Sequence, residues 1–125
     1  MTERSAPRRE LERIRDGGGP GADQARVALT TETAAERLRG AILALATARG
    51  ADSSTCPSDA ARAVATDWRP LLPQARELAR ELARAGRVRL TRRGRPLDPD
   101  EEWRGPIRIR AGAGARRLPG ASTGG

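Results

Sequence analysis

Histidine, lysine, phenylalanine and tyrosine are absent from the 125-residue chain, cysteine occurs once and tryptophan twice. Without histidine, neither Cys-His nor Ser-His-Asp activation of a nucleophile is possible, and the commonest metal ligand is missing as well. The single Cys56 excludes an intrachain disulfide and agrees with a reducing compartment. With Trp68 and Trp103 as the only aromatics, a core has to be assembled from Leu, Ile, Val and Ala, so it buries modest area and marginal stability is expected. No apolar run approaches the roughly 20 residues of a membrane span, and the opening MTERSAPRRELERIRDGGGP holds no signal-peptide core. Glu3, Glu10, Glu12 and Asp16 argue against a transit peptide. The expectation is a cytoplasmic, non-enzymatic protein with no catalytic residues, no cofactor and no metal.

What is abundant is arginine. The formal charge is +8, from 24 cations against 16 acids, and every cation is an arginine. Abundant Ala and Gly beside a total lack of Lys look like a coding bias, so part of this count reflects codon usage; the charge is still physically present. Nucleic acid is the default partner of a basic domain of this size, while an acidic protein surface, or only water, are the competing readings.

Residues 1–29 carry six arginines against five acids, little apolar content and the Gly17-Gly18-Gly19-Pro20-Gly21 break, and are expected to be a disordered tail with at most a transient helix around Arg8–Arg15. The glycine run has no following Gly-Lys-Ser/Thr and no preceding strand, which excludes a phosphate loop. Residues 112–125 read as a second, mildly basic tail. Between them, 30–111 should form one domain. Thr33-Ala34-Ala35-Glu36 is a capping box, and Ala34, Leu38, Ala41, Ile42 and Leu45 follow at helical spacing up to Gly50. A short second helix starts at Cys56-Pro57-Ser58-Asp59, with Ser58 as its cap, and ends near Ala65. A third becomes regular from about Pro73 to Ala85, with Ala75, Leu78, Ala79 and Leu82 inward and Gly86 as terminator. Beyond Gly86 the period falls to two. Val88 and Leu90, then Ile107 and Ile109, alternate with arginines as two half-buried strands separated by a long loop, in which Asp98-Pro99-Asp100-Glu101 can start one helical turn. The expected fold is mostly α with a small β-hairpin: a winged helix-turn-helix of three helices and a two-stranded wing, flanked by disordered tails.

On the third helix, at about 100° per residue, Arg76, Arg80 and Arg84 fall within about 80° of one another, opposite the leucines. If the apolar strand residues face inward, Arg87, Arg89, Arg108 and Arg110 share the outer face, with Arg92, Arg93 and Arg95 at the loop base. Phosphate-binding cations in those two places suit a groove-docked helix with a basic wing. The competing reading pairs the helix arginines with Glu77 and Glu81 as a solvated face. Gln74 is the helix's only neutral polar side chain, so base readout is thinly supported. Trp68 is expected to plug the core, and Trp103 to fold back over the sheet, although both types can stack on bases. Cys56, before a helix N-terminus, carries at most a minor thiol role.

Several pieces taken together resemble an uncharacterised bacterial domain-of-unknown-function family of small winged-helix-like proteins. They are Ile42-Leu43-Ala44-Leu45, Cys56-Pro57-Ser58, Ala61-Arg62, Asp67-Trp68-Arg69 with Pro73, Gly86-Arg87-Val88, Gly94-Arg95-Pro96-Leu97-Asp98-Pro99 and Gly105-Pro106-Ile107-Arg108-Ile109-Arg110. The resemblance spans about Ala35 to Arg110 and implies a compact fold without bringing an activity, substrate or cofactor.

Overall fold

Ser5 accepts a hydrogen bond from the Arg8 amide at 3.2 Å and starts helix α1, Ala6–Gly17, with a proline in its first turn. After a tight turn, α2 runs over Ala22–Thr30 and Thr33 caps α3, Ala34–Arg49, by accepting from the Glu36 amide at 3.3 Å. The chain continues with α4, Pro57–Val64, a 3-10 turn, Arg69–Leu71, α5, Leu72–Arg84, and strands β1, Val88–Arg92, β2, Arg95–Pro96, and β3, Arg108–Ala111. This computed structural model describes residues 5–50 and 53–112. The protein is therefore mostly helical, with a small antiparallel sheet in the order β2-β1-β3. No helix among the described residues is long and apolar enough to cross a membrane.

Two of the expectations change here. Residues 5–29 are not a tail: they form α1 and α2, and Leu11, Ala25 and Ala28 are wholly buried. Their apolar content is small because alanine and glycine do the packing. A Cβ on Gly40 would stand 2.7 Å from the Gln24 carbonyl oxygen and 2.9 Å from the Ala28 nitrogen, so only glycine lets α2 lie this close to α3. Consequently α3 is buried without a break from Gly40 to Thr47, where a single buried stripe was expected. Polar ties fasten α1 to the rest. Ser5 Oγ donates to the Arg62 carbonyl at 2.8 Å, and Arg49 bridges Glu10 at 2.7 Å and Asp59 at 3.2 Å. The Glu10 hydrogen bond, with Asp59 adding to it, holds the Arg49 guanidinium well above its ordinary range against the effect of burial. Of the expected tails, residues 1–4 and 113–125 lie outside the described residues.

The second change is in the sheet. The expected wing of two strands gains a third, because Arg93 and Gly94, both with positive φ (52° and 80°), turn the chain back within two residues so that Arg92 pairs with Arg95. That sign pattern is the type I′ hairpin turn, in which glycine at the second position is unstrained and arginine at the first is not. The connection that remains, from Leu97 to Ile107, is shorter than expected and makes an Asx turn, Asp100 N–H to Asp98 Oδ1 at 2.8 Å, in place of a helical start. The α4 cap is Cys56, not Ser58, and the third helix of the domain, α5, opens at Leu72.

The rest of the inward pattern stands. Ala75, Leu78, Ala79, Leu82, Val88, Leu90, Ile107 and Ile109 are all buried in one core with α3 and α4. Past α5, the Gly86 and Arg87 amides donate to Ala83 and Leu82 carbonyls at 3.0 and 2.9 Å, the paired bonds of a Schellman stop that aim the chain into β1. Thr55, between α3 and α4, exchanges both backbone hydrogen bonds with Ile109 at 2.8 and 2.7 Å and so extends the sheet by one bridge on the β3 side.

Candidate nucleic-acid interface

Register decides which arginines share the outer face of the sheet. Val88 lies opposite Ala111 and Leu90 opposite Ile109 on the inner face; Arg89 lies opposite Arg110, and Thr91, itself buried, opposite Arg108, on the other. Arg89, Arg93 and Arg95 are exposed, and among the described residues none of the three is ion-paired with an acid. Arg108 is also exposed, but Ser54 engages it: its Nε donates to Ser54 Oγ at 2.8 Å and its Nη2 to the Ser54 carbonyl at 3.0 Å. Arg92 is half-buried, its guanidinium close to Gly105. Arg110 and Arg87 are half-buried too. Burial first, and then the charge of Arg39, shift the Arg87 guanidinium below its ordinary range, although it stays cationic at neutral pH.

The helix half of the expected surface has a different fate. Arg76 donates to the carbonyls of Gly105 and Trp103 at 3.1 and 3.3 Å. Arg80 donates to the carbonyls of Pro99 and, at 2.8 Å, Glu101, and its guanidinium sits 4.2 Å from the centre of the Trp103 ring. Arg84 pairs with Asp100 at 2.7 Å. Trp103 itself donates from Nε1 to the Asp98 carbonyl at 3.1 Å. Arg76 and Arg80 thus hold the Asp98–Gly105 loop down on α5, while Arg84 meets it only through an exposed ion pair, so the three do not point together into solvent. Glu77 takes part only through Arg80, at 3.2 Å, and Glu81 turns to Arg39 at 3.6 Å. What the sequence reading missed was the partner, because a loop that presents carbonyl oxygens leaves no signature in residue type.

The stretch that carries α3, α4, α5 and the sheet is also the stretch that matches known proteins. Residues 35–112 match the family described as Protein of unknown function (DUF3253). The chain belongs to that family. A search of the curated proteins returned no match. In this DUF3253 domain the match begins in the first turn of α3, so α1 and α2 lie N-terminal to it, while the hairpin, the loop and all ten arginines of the expected surface fall within it. Trp68 is half-buried against the core with Arg69 stacked 4.7 Å from its ring, closer to the expected plug than to a base platform. Cys56 is half-buried, its Sγ 3.1 Å from Ser58 Oγ. No group of three or more Cys, Asp or Glu side chains among the described residues is placed to hold a metal ion.

Proposed function

We propose that the domain is a non-enzymatic cytoplasmic module that binds the phosphate backbone of nucleic acid, DNA in the first instance, through the β1–β2 hairpin and not through α5. The observation that carries this reading is the exposed, acid-free set Arg89, Arg93 and Arg95, with Arg108 and Arg110 beside it on the outer sheet face. Guanidinium groups spread along a projecting hairpin suit successive phosphates and carry no base preference. The element order also fits a winged helix: three helices with an extended bridge after the first, then a wing. In that scheme α5 takes the recognition-helix position, and its arginines are engaged by the protein's own loop, which favours binding without sequence readout.

One observation favours the second reading, a module that docks on an acidic protein surface. The loop over α5 already places Asp100 against Arg84 and lays its backbone carbonyls on Arg76 and Arg80, so an extended segment with an acidic side chain is a partner that arginines of this domain engage internally. Fluorescence anisotropy with a random-sequence duplex separates the two. Binding that weakens with salt, and a salt slope that falls by about 2 to 3 in an Arg89→Ser, Arg93→Ser, Arg95→Ser variant, supports the hairpin. No binding at low salt sinks the nucleic-acid reading and leaves the protein surface.

A further inference from the structure

Between the first turns of α5 and the loop laid over it, Trp103 borders a hollow of about 370 Å³, a volume typical of small-molecule sites. Leu72 and Pro73 supply its aliphatic wall, Trp103 its aromatic one, and Arg76, Glu77 and Arg80 its polar edge. We propose that this hollow receives an unpaired guanine base of single-stranded nucleic acid, stacked on Trp103 and bonded through its Watson–Crick edge to Glu77. The inference rests on the reading of the hairpin as a phosphate-binding surface, and adds to it the form of the strand and the base.

The indole is held in place before a base arrives. Its Nε1 donates to the Asp98 carbonyl at 3.1 Å, and the Arg80 and Arg76 guanidiniums lie 4.2 and 5.6 Å from its ring centre. A half-buried ring fixed in this way loses little further freedom when a base lies on it. Glu77 selects the base. Its Oε1 accepts from Arg80 Nε at 3.2 Å, while Oε2 has no partner among the described residues and the side chain is 67% exposed. Guanine alone among the bases offers a carboxylate two adjacent donors, N1–H and the 2-amino group. Its neighbouring O6 needs a donor, and Arg76 Nε and Arg80 Nη2 have no acceptor among the described residues. In a duplex this edge of guanine is taken by cytosine, so the base has to be unpaired. Arg92 links the hollow to the hairpin. Its side chain, at the end of β1, has no hydrogen bond or ion pair among the described residues, and its Nη2 would stand 3.7 Å from a Cβ on Gly105, whose carbonyl Arg76 binds. A strand whose phosphates follow Arg93 and Arg95 therefore meets a further guanidinium beside the loop that carries Trp103.

The test is fluorescence anisotropy of the full chain with short oligothymidylate and oligouridylate strands that carry one central guanine, one central hypoxanthine, which lacks the 2-amino group, or neither. Guanine should tighten binding roughly fivefold or more over both alternatives, and the series that binds more tightly names the sugar. In the isotope-labelled chain the Trp103 indole N–H and the Gly105 amide should shift with the guanine strand and not with the plain one. Glu77→Gln, at an exposed position, should leave the spectrum and the plain-strand affinity unchanged and remove the guanine preference. Arg93→Ser should weaken every strand alike and keep that preference. Failure of every strand to bind at low salt overturns the hairpin reading, and this inference with it. Strands that bind with no gain from guanine, or a gain that survives Glu77→Gln, overturn this inference alone and leave the hairpin reading standing.

Discussion

Arg80 spans the gap between α5 and the Asp98–Gly105 loop. Its spacing from Arg76 and Arg84 puts all three on one face of α5, as expected, but its side chain is only 16% exposed because it lies between Trp103 and two loop carbonyls. A carbonyl-rich loop with no strand partner needs donors, and an arginine offers five in a fixed fork while its charge rests on the indole face. Trp103→Ala should therefore lower stability by about 2 kcal/mol, and Arg80→Ala by a similar amount through the unmet carbonyls. In a urea-denaturation double-mutant cycle the pair should show coupling of about 1 kcal/mol; additivity within experimental error would mean that the stacking is incidental. Arg49 makes the same kind of argument with acids. Glu10 and Asp59 are each no more than 24% exposed beside it. Arg49→Met, which keeps the apolar stem, should cost about 2 kcal/mol of unfolding free energy by leaving two partly buried carboxylates without their cation.

At the scale of elements, the three helices and the two inward-facing strands of the family domain were legible because each announces itself locally: a capping box at Thr33, a 3.6-residue stripe on α5, a change to period two after Gly86. Helices α1 and α2 were not, since Gly17–Gly21 reads as a break whether the flanking helices are packed or absent. The signal that would have found them lies in α3. Gly40-Ala41-Ile42-Leu43-Ala44-Leu45-Ala46 has no polar face, and a helix apolar all round has to be covered all round. Gly40→Ala tests that cover. Its methyl meets backbone atoms at 2.7 and 2.9 Å, which cannot rotate away, so α2 has to shift and stability should drop by about 1 to 3 kcal/mol, read as a lower denaturation midpoint and as faster proteolysis that begins within residues 5–30. The hairpin was missed for the opposite reason. Arg93-Gly94 is not the usual Asn-Gly, and an arginine at φ 52° is tolerated where a turn residue would be preferred. Of the candidate interface, the alternation after Gly86 was enough to put Arg89 outward, but it could not reveal which cations the Asp98–Gly105 loop would engage.

Across the whole molecule the arginines divide into two populations that respond differently to replacement. Those that contact the protein itself, such as Arg49, Arg76 and Arg80, carry the fold; those on the hairpin carry charge outward and stabilise little. Arg93 belongs to the second set while sitting in a backbone conformation that arginine does not favour, and this allows stability and binding to be separated at one residue. In Arg93→Asn the left-handed turn becomes easier, so the folded state should gain up to about 1 kcal/mol. The same change deletes one guanidinium from the proposed phosphate-binding surface, so duplex affinity at low salt should fall several-fold and the salt slope by about 1. Arg84→Ser is the matched control: it removes one positive charge from the exposed pair with Asp100, leaves the hairpin intact, and should alter both affinity and stability little. If the two variants lose affinity equally, net charge alone drives association and the hairpin has no privileged role. If only Arg93→Asn loses it, while its denaturation midpoint rises, the residue is retained at the turn for what it contacts outside the protein.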